Sequence, residues 1–150
     1  MIQARGPEIL YTAPEYRRGA HRWPIIAREQ IIAALTTFAE TPKFRCQEPQ
    51  FNYLNPSPRA ITQPLEAALN QCAINLRLQV QRDGGSGEFR RCISKSLRSV
   101  QKPFDTEDRE YLLFYYDQLA QIVGIRIGLL LNSWLYGFPL ALLLQLFGRR

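Results

Sequence analysis

Residues 128–147 read GLLLNSWLYGFPLALLLQLF, twenty consecutive positions without a formal charge, nine of them leucine. A run this apolar must be withdrawn from water. Three arrangements do that: the central helical hairpin of a core, a partner-binding surface, or a membrane anchor. About twenty apolar residues suffice to cross the hydrocarbon of a bilayer. Asn132, Ser133 and Gln145, together with the Gly137-Phe138-Pro139 interruption, argue against one continuous lipid-facing helix. The run therefore favours a soluble helical hairpin, with a C-terminal tail anchor as the alternative.

The remainder of the chain reads as helices separated by breakers. At 150 residues, with 46% hydrophobic and 21% charged positions, it has the composition of one ordinary globular domain. Residues 1–23 mix aromatics, arginines and prolines without a period and are expected to form an irregular arm, leaving 24–150 as a single helical domain. Pro24 suits a first helical turn, and Ile25 to Phe38 keep helical spacing. Residues 41–64 hold five prolines and also Phe44, Phe51, Tyr53 and Leu54, so a long loop with apolar anchors is expected there. Thr62 is placed as the cap of a helix over about 64–82, whose Leu65, Leu69, Cys72, Leu76 and Val80 share one face.

DGGSG at 83–87 ends that helix by turn chemistry; it lacks the Lys-Ser/Thr and preceding strand of a phosphate loop. From Glu88 to about Gln101 the faces separate: Phe89, Ile93, Leu97 and Val100 on one side, Arg91, Lys95 and Arg98 opposite. Asp105 or Thr106 then caps EDREYLLFYYDQLAQIVG, with an acidic first turn and Gly124 as its stop. Tyr111, Leu112, Tyr115, Leu119, Ile122 and Val123 form its stripe, while Leu113 and Phe114 fall outside and suggest a second buried face. Residues 125–136 are apolar all round, which places them with 107–123 at the centre of the core and buries Trp134 and Leu130. No β-alternation is present. The expected fold is all-α: a single compact helical domain of five or six helices with a long proline- and aromatic-rich loop.

Little in the chain carries reaction chemistry. The one histidine, His21, lies in the irregular arm, and close-spaced Cys/His pairs for a structural metal are missing. The carboxylates Asp105, Glu107, Asp108 and Glu110 are explained by a helix start. Cys46, Cys72 and Cys92 are odd in number and widely spaced, which fits free thiols in a reducing, cytoplasmic setting. The N-terminus lacks an apolar stretch of signal-peptide length. No enzyme activity, cofactor or metal is expected. The net charge is +6, and of 19 basic residues all but Lys43, Lys95 and Lys102 are arginine. Such a surface suits an acidic partner. The basic stripe of Arg90, Arg91, Lys95 and Arg98 carries none of the interleaved glycines or aromatics of nucleic-acid modules, so an acidic protein is preferred to nucleic acid.

The segments TEDREYLLFYYDQLAQIVGI and GLLLNSWLYGF, residues 106–125 and 128–138, resemble a family of small uncharacterised bacterial proteins. They share an acidic helix start, a Tyr/Phe-rich helix closing in Ile-Val-Gly, and a Leu-Asn-x-Trp-x-Tyr-Gly ending. The resemblance implies a soluble helical fold and no activity. By class, single-domain non-catalytic bacterial proteins of this size are similar to immunity proteins and antitoxins. The expected function is thus a protein-binding protein that occludes a toxin, using Arg90, Arg91, Lys95 and Arg98 against acidic groups and Phe44, Phe51 and Tyr53 as apolar anchors. A tail-anchored membrane protein through 128–147 and a basic nucleic-acid-binding module are the alternatives.

Overall fold

A computed structural model describes residues 25–45, 57–103 and 105–137, and their regular structure is helical throughout, with no strand among them. The elements are α1 (Ile25–Glu40), α2 (Arg59–Gln81), α3 (Ser86–Ser99), α4 (Thr106–Ile122) and α5 (Gly128–Tyr136). The all-α class read from the sequence stands. The arm 1–23 and the residues after Gly137 lie outside the described residues.

The longest helix organises the rest. Thr62, Leu65, Leu69, Cys72, Ala73, Leu76 and Val80 are buried along α2, a stripe with helical spacing. α2 packs against α1, α3 and α4 together. From α1 come Ile31, Leu35 and Phe38, and from α3 Phe89, Ile93 and Leu97. α4 is buried over about half its circumference, because α1 and α3 flank it while α2 lies beneath. The second face anticipated for α4 includes the fully buried Tyr116 and Ala120, with Leu113 and Phe114 packed partly against the core.

The helix ends follow local chemistry. Asp105 Oδ1 accepts the N–H groups of Glu107 at 2.7 Å and Asp108 at 3.4 Å, which makes it the N-cap of α4. At the other end Gly124 takes φ +73°, Ile125 N–H reaches the Ala120 carbonyl at 2.9 Å, and Gly124 N–H reaches Gln121 at 3.1 Å. This is a Schellman closure with glycine at its left-handed position. α2 closes the same way, but Asp83 rather than a glycine takes the left-handed conformation, φ 57°. Gly84 follows because a Cβ there would lie 2.9 Å from the Gln79 carbonyl oxygen. Arg28 holds this turn from α1, donating to the Gln81 carbonyl at 2.7 Å and to Asp83 at 3.2 Å.

Two sequence expectations change. First, α2 begins at Arg59, so Thr62 is not its cap. Pro64 lies inside the helix, and Thr62 is buried with its hydroxyl unpartnered among the described residues. Proline removes one N–H from the second turn, but the burial of Leu65 and Leu69 and the Arg59–Glu66 ion pair at 2.7 Å hold that turn. Second, the segment 125–136 is not the centre of the core. Ile125 and Ile127 are buried, yet α5 is only nine residues long and packs chiefly on α4. One face of it meets protein: Leu131 is buried, Leu130 and Trp134 are half-buried, and Leu129 and Tyr136 are exposed. The interruption read at Gly137 agrees with α5, which stops at Tyr136, and no helix among the described residues is long and apolar enough to cross a membrane.

The exchange of centres has a measurable consequence. Leu69→Ala, at a fully buried position on α2, is expected to cost about 2–5 kcal/mol. Trp134→Ala, at a half-buried position, is expected to cost distinctly less, although it removes the larger side chain. Urea denaturation of the two variants measures both, and a Trp134→Ala loss equal to that of Leu69→Ala would restore α5 to the centre.

Candidate functional site

α3 sorts its residues by chemistry. A glycine turn precedes it, and Glu88 folds back to accept the Gly85 N–H at 2.9 Å. Hydrogen bonds from the Glu88 and Gly85 backbone hold that carboxyl below the usual carboxylate range. Phe89, Ile93 and Leu97 fill the core, whereas Arg90, Arg91, Lys95 and Arg98 are all exposed. The two ion pairs among the described residues, Arg28–Asp83 and Arg59–Glu66, involve none of these four. All four are open to solvent; the helical period puts Arg91, Lys95 and Arg98 on one face, with Arg90 about 100° round the helix from Arg91. Of the three aromatic anchors only Phe44 is described, and it is not on that surface. Phe44 is 2% exposed and belongs to the core, while Phe51 and Tyr53 lie outside the described residues.

Phe44 is a correction with a physical cause. It stands four residues after the end of α1 with φ 55°, a conformation rare for a bulky residue. Its ring meets Tyr115 edge-on at 5.3 Å, Phe38 reaches Tyr115 at 6.2 Å, and Phe44 N–H donates to the Tyr115 hydroxyl at 3.4 Å. The ring is buried by reversing the chain at this residue. It cannot also serve as a surface anchor.

Lys43, just before it, is 1% exposed, and nothing in the local sequence marks it for burial. Its ammonium donates to the carbonyls of Phe38 and Thr41, the latter at 2.8 Å, and to Asn70 Oδ1 at 2.7 Å. It also lies 4.2 Å from the centre of the Phe38 ring. A cation at a helix C-terminus satisfies carbonyls that lack helical partners. With its three donors directed at protein oxygens, Lys43 is a cap and a clamp between α1 and α2. Glu66 completes the clamp, accepting Lys43 N–H at 3.3 Å and pairing with Arg59 at 2.7 Å. Burial pushes the Glu66 carboxyl up, but the Arg59 and Lys43 hydrogen bonds and the nearby arginines outweigh it, leaving it below its ordinary value.

Behind the basic face, α2 and α3 meet through small polar side chains. Cys92 Sγ lies 4.0 Å from the Cys72 carbonyl oxygen, and one turn on Ser96 Oγ donates to the Ala68 carbonyl at 3.3 Å. Ser96 also bonds the Tyr116 hydroxyl of α4 at 2.8 Å. Burial pushes the Tyr116 phenol up, so it stays neutral. Separately, a groove of about 950 Å³ lies between the start of α2 and the α3–α4 connection. Of its two cations, Lys102 is directed to the Trp134 and Leu135 carbonyls at 3.1 and 2.9 Å, and Arg109 to Thr106 at 3.2 Å. Among the described residues no group of three or more His, Cys, Asp or Glu gathers where a metal ion could sit.

Comparison with known families gives one result. Residues 27–139 match the family described as "Domain of unknown function (DUF4844)", and the chain belongs to it. The match runs from the first turn of α1 past the end of α5, well beyond the two segments whose resemblance was evident in the sequence. Neither the curated proteins nor the solved structures include a match.

The Glu66 clamp makes stability depend on acidity in one direction. Its folded carboxyl titrates below 4.5, so its contribution is complete above that value and is lost as pH falls through the lowered one. Because Arg59 is largely exposed, the expected contribution is about 1 kcal/mol or less. Urea midpoints measured from about pH 5 downward should fall more steeply for the natural chain than for Glu66→Gln. Parallel curves would show that the clamp does not couple to folding.

Proposed function

We propose that this chain is a non-catalytic protein-binding protein whose α3 face docks on an acidic partner, and that the partner is a toxin which it neutralises by occlusion, as immunity proteins do. The observation that carries the reading is the sorting of α3: three apolar residues in the core and four cations open to solvent, with no ion-pair partner among the described residues. Fixed cations on a rigid helix steer an acidic partner and set its orientation. Arginine is also enriched among residues that dominate interface energy, and three of the four are arginine. Glu88 and Asp105 are occupied with helix starts, and Lys43 is occupied with capping. The toxin assignment rests on class analogy with small, single-domain, non-catalytic proteins rather than on a motif.

The test is co-expression with the products of neighbouring genes in the host genome. One of them is expected to arrest growth when expressed alone and to be silenced by this chain. The double reversal Arg91→Glu/Arg98→Glu should keep its helical circular dichroism, lose protection, and slow association on the order of tenfold or more at low salt. Absence of any growth-arresting neighbour, or unchanged protection by the double variant, would reject the reading. Salt-sensitive micromolar binding to unselected duplex DNA would move the same face to the nucleic-acid class.

A further inference from the structure

The packing of α3 on α2 places two cysteines together at a seam that the proposed binding function does not use. Cys92 of α3 is half-buried, and Cys72 of α2 is buried beneath it. Helix backbones approach closely here, because a side chain as short as cysteine or serine on α3 reaches the main-chain carbonyls of Cys72 and Ala68. The two cysteines are neighbours across this seam, with Cys92 Sγ 4.0 Å from the Cys72 main-chain oxygen. The neighbouring Cys72 thiol and the Lys95 ammonium one turn along α3 draw the Cys92 thiol below its ordinary range despite burial. The neighbouring Cys92 thiol and burial push Cys72 up. Facing the pair from α3 and α4 are Ser96 and the Tyr116 phenol, both neutral and hydrogen-bonded to each other. One thiol is reachable and activated, and the other is shielded and adjacent. Reactive cysteines are those with thiolate character and access to solvent.

We propose that Cys92 and Cys72 form a peroxide-responsive dithiol, with Cys92 as the attacking sulfur and Cys72 as the resolving one. The Cys92 thiolate attacks one oxygen of hydrogen peroxide, breaking the O–O bond. The sulfur is oxidised to sulfenic acid, and the other oxygen leaves as hydroxide and takes up a proton to become water. The Cys72 sulfur then attacks the Cys92 sulfur. An S–S bond forms, the S–OH bond breaks, and the hydroxyl leaves as water with the Cys72 proton. The sum is two thiols and one peroxide giving one disulfide and two waters. A thiol reductant reverses it by exchange. The bond would staple α3 to α2 at the edge of the α3 core stripe, beside its charged face.

The three cysteines fall on three different tryptic peptides, 46–59, 60–77 and 92–95, so their pairing can be read directly. The folded full-length chain is exposed to hydrogen peroxide, its remaining thiols are blocked with N-ethylmaleimide, and the digest is weighed. The expected product is 60–77 linked to 92–95 with the loss of two hydrogens, absent after dithiothreitol. Cys46→Ser should retain the link, and Cys72→Ala, checked for helical circular dichroism, should leave Cys92 as a sulfenic acid that dimedone captures. A natural chain that keeps both thiols while Cys46 oxidises, or that links only through Cys46, overturns the proposal without recourse to any variant.

Discussion

Everything in this fold depends on one helix being covered on three sides. α2 buries its stripe from Thr62 to Val80 against α1, α3 and α4 at once, and each of those helices is held on the face it turns toward α2. Burial of apolar surface supplies the main driving force for folding, at roughly 25 cal/mol per Å² removed from water. It also decides what stays outside. α1 and α3 are each covered on their inner side, so their remaining circumference is left to solvent. The basic surface of α3 follows from this arrangement: once Phe89, Ile93 and Leu97 face inward, the helical period places Arg91, Lys95 and Arg98 outward.

Apolar burial does not choose a unique packing by itself. The polar groups at the margins do that. Lys43 joins the carbonyls at the end of α1 to Asn70 of α2, which ties the height of one helix to the other. Ser96 performs a comparable task on the far side, joining a carbonyl of α2 to the Tyr116 hydroxyl of α4. Tyr115 gathers Phe38, Phe44, Tyr111 and Phe114 around one ring, so the chain reversal after α1 is tied to α4. A buried donor or acceptor without its partner is costly, and these contacts therefore penalise alternative registers more than they add to stability.

What could be read from the sequence was local, and what could not was tertiary. α3 and α4 were legible to within two residues because their stripes, the Asp105 cap and the Gly124 stop are written in adjacent positions. The start of α2 was not, because five prolines in 41–64 are strong breakers and the packing that sustains a helix through Pro64 lies elsewhere in the chain. The leucine-rich run after residue 127 suggested a core because it is apolar all round, yet composition cannot say how many faces a nine-residue helix finds covered. The basic face was legible as a period, whereas Lys43 gave no signal, since a lysine after a proline normally lies in solvent. The Cys72–Cys92 contact was half legible: Cys72 sat on the α2 stripe, but Cys92 lies at the edge of the α3 stripe, and only the turn at 82–85 fixes their common height.

The correction at Phe44 also bears on how α3 can bind. With that ring in the core, the exposed face of α3 carries cations and small polar groups but no exposed large apolar side chain. Those among the described residues, Ile61, Leu78, Leu129 and Tyr136, stand on α2 and α5. Charges on a rim govern encounter rate and salt dependence more than they govern dissociation, because solvent screens them until they are enclosed. Tight binding generally needs a desolvated anchor at the centre of the interface, with the charged groups around it. On the proposed reading the α3 face would supply direction and speed of approach, and would do so at low entropic cost because its backbone is already held by the α2 seam and the core. The grip would then have to come from a desolvated apolar anchor, which the four cations of α3 do not themselves supply.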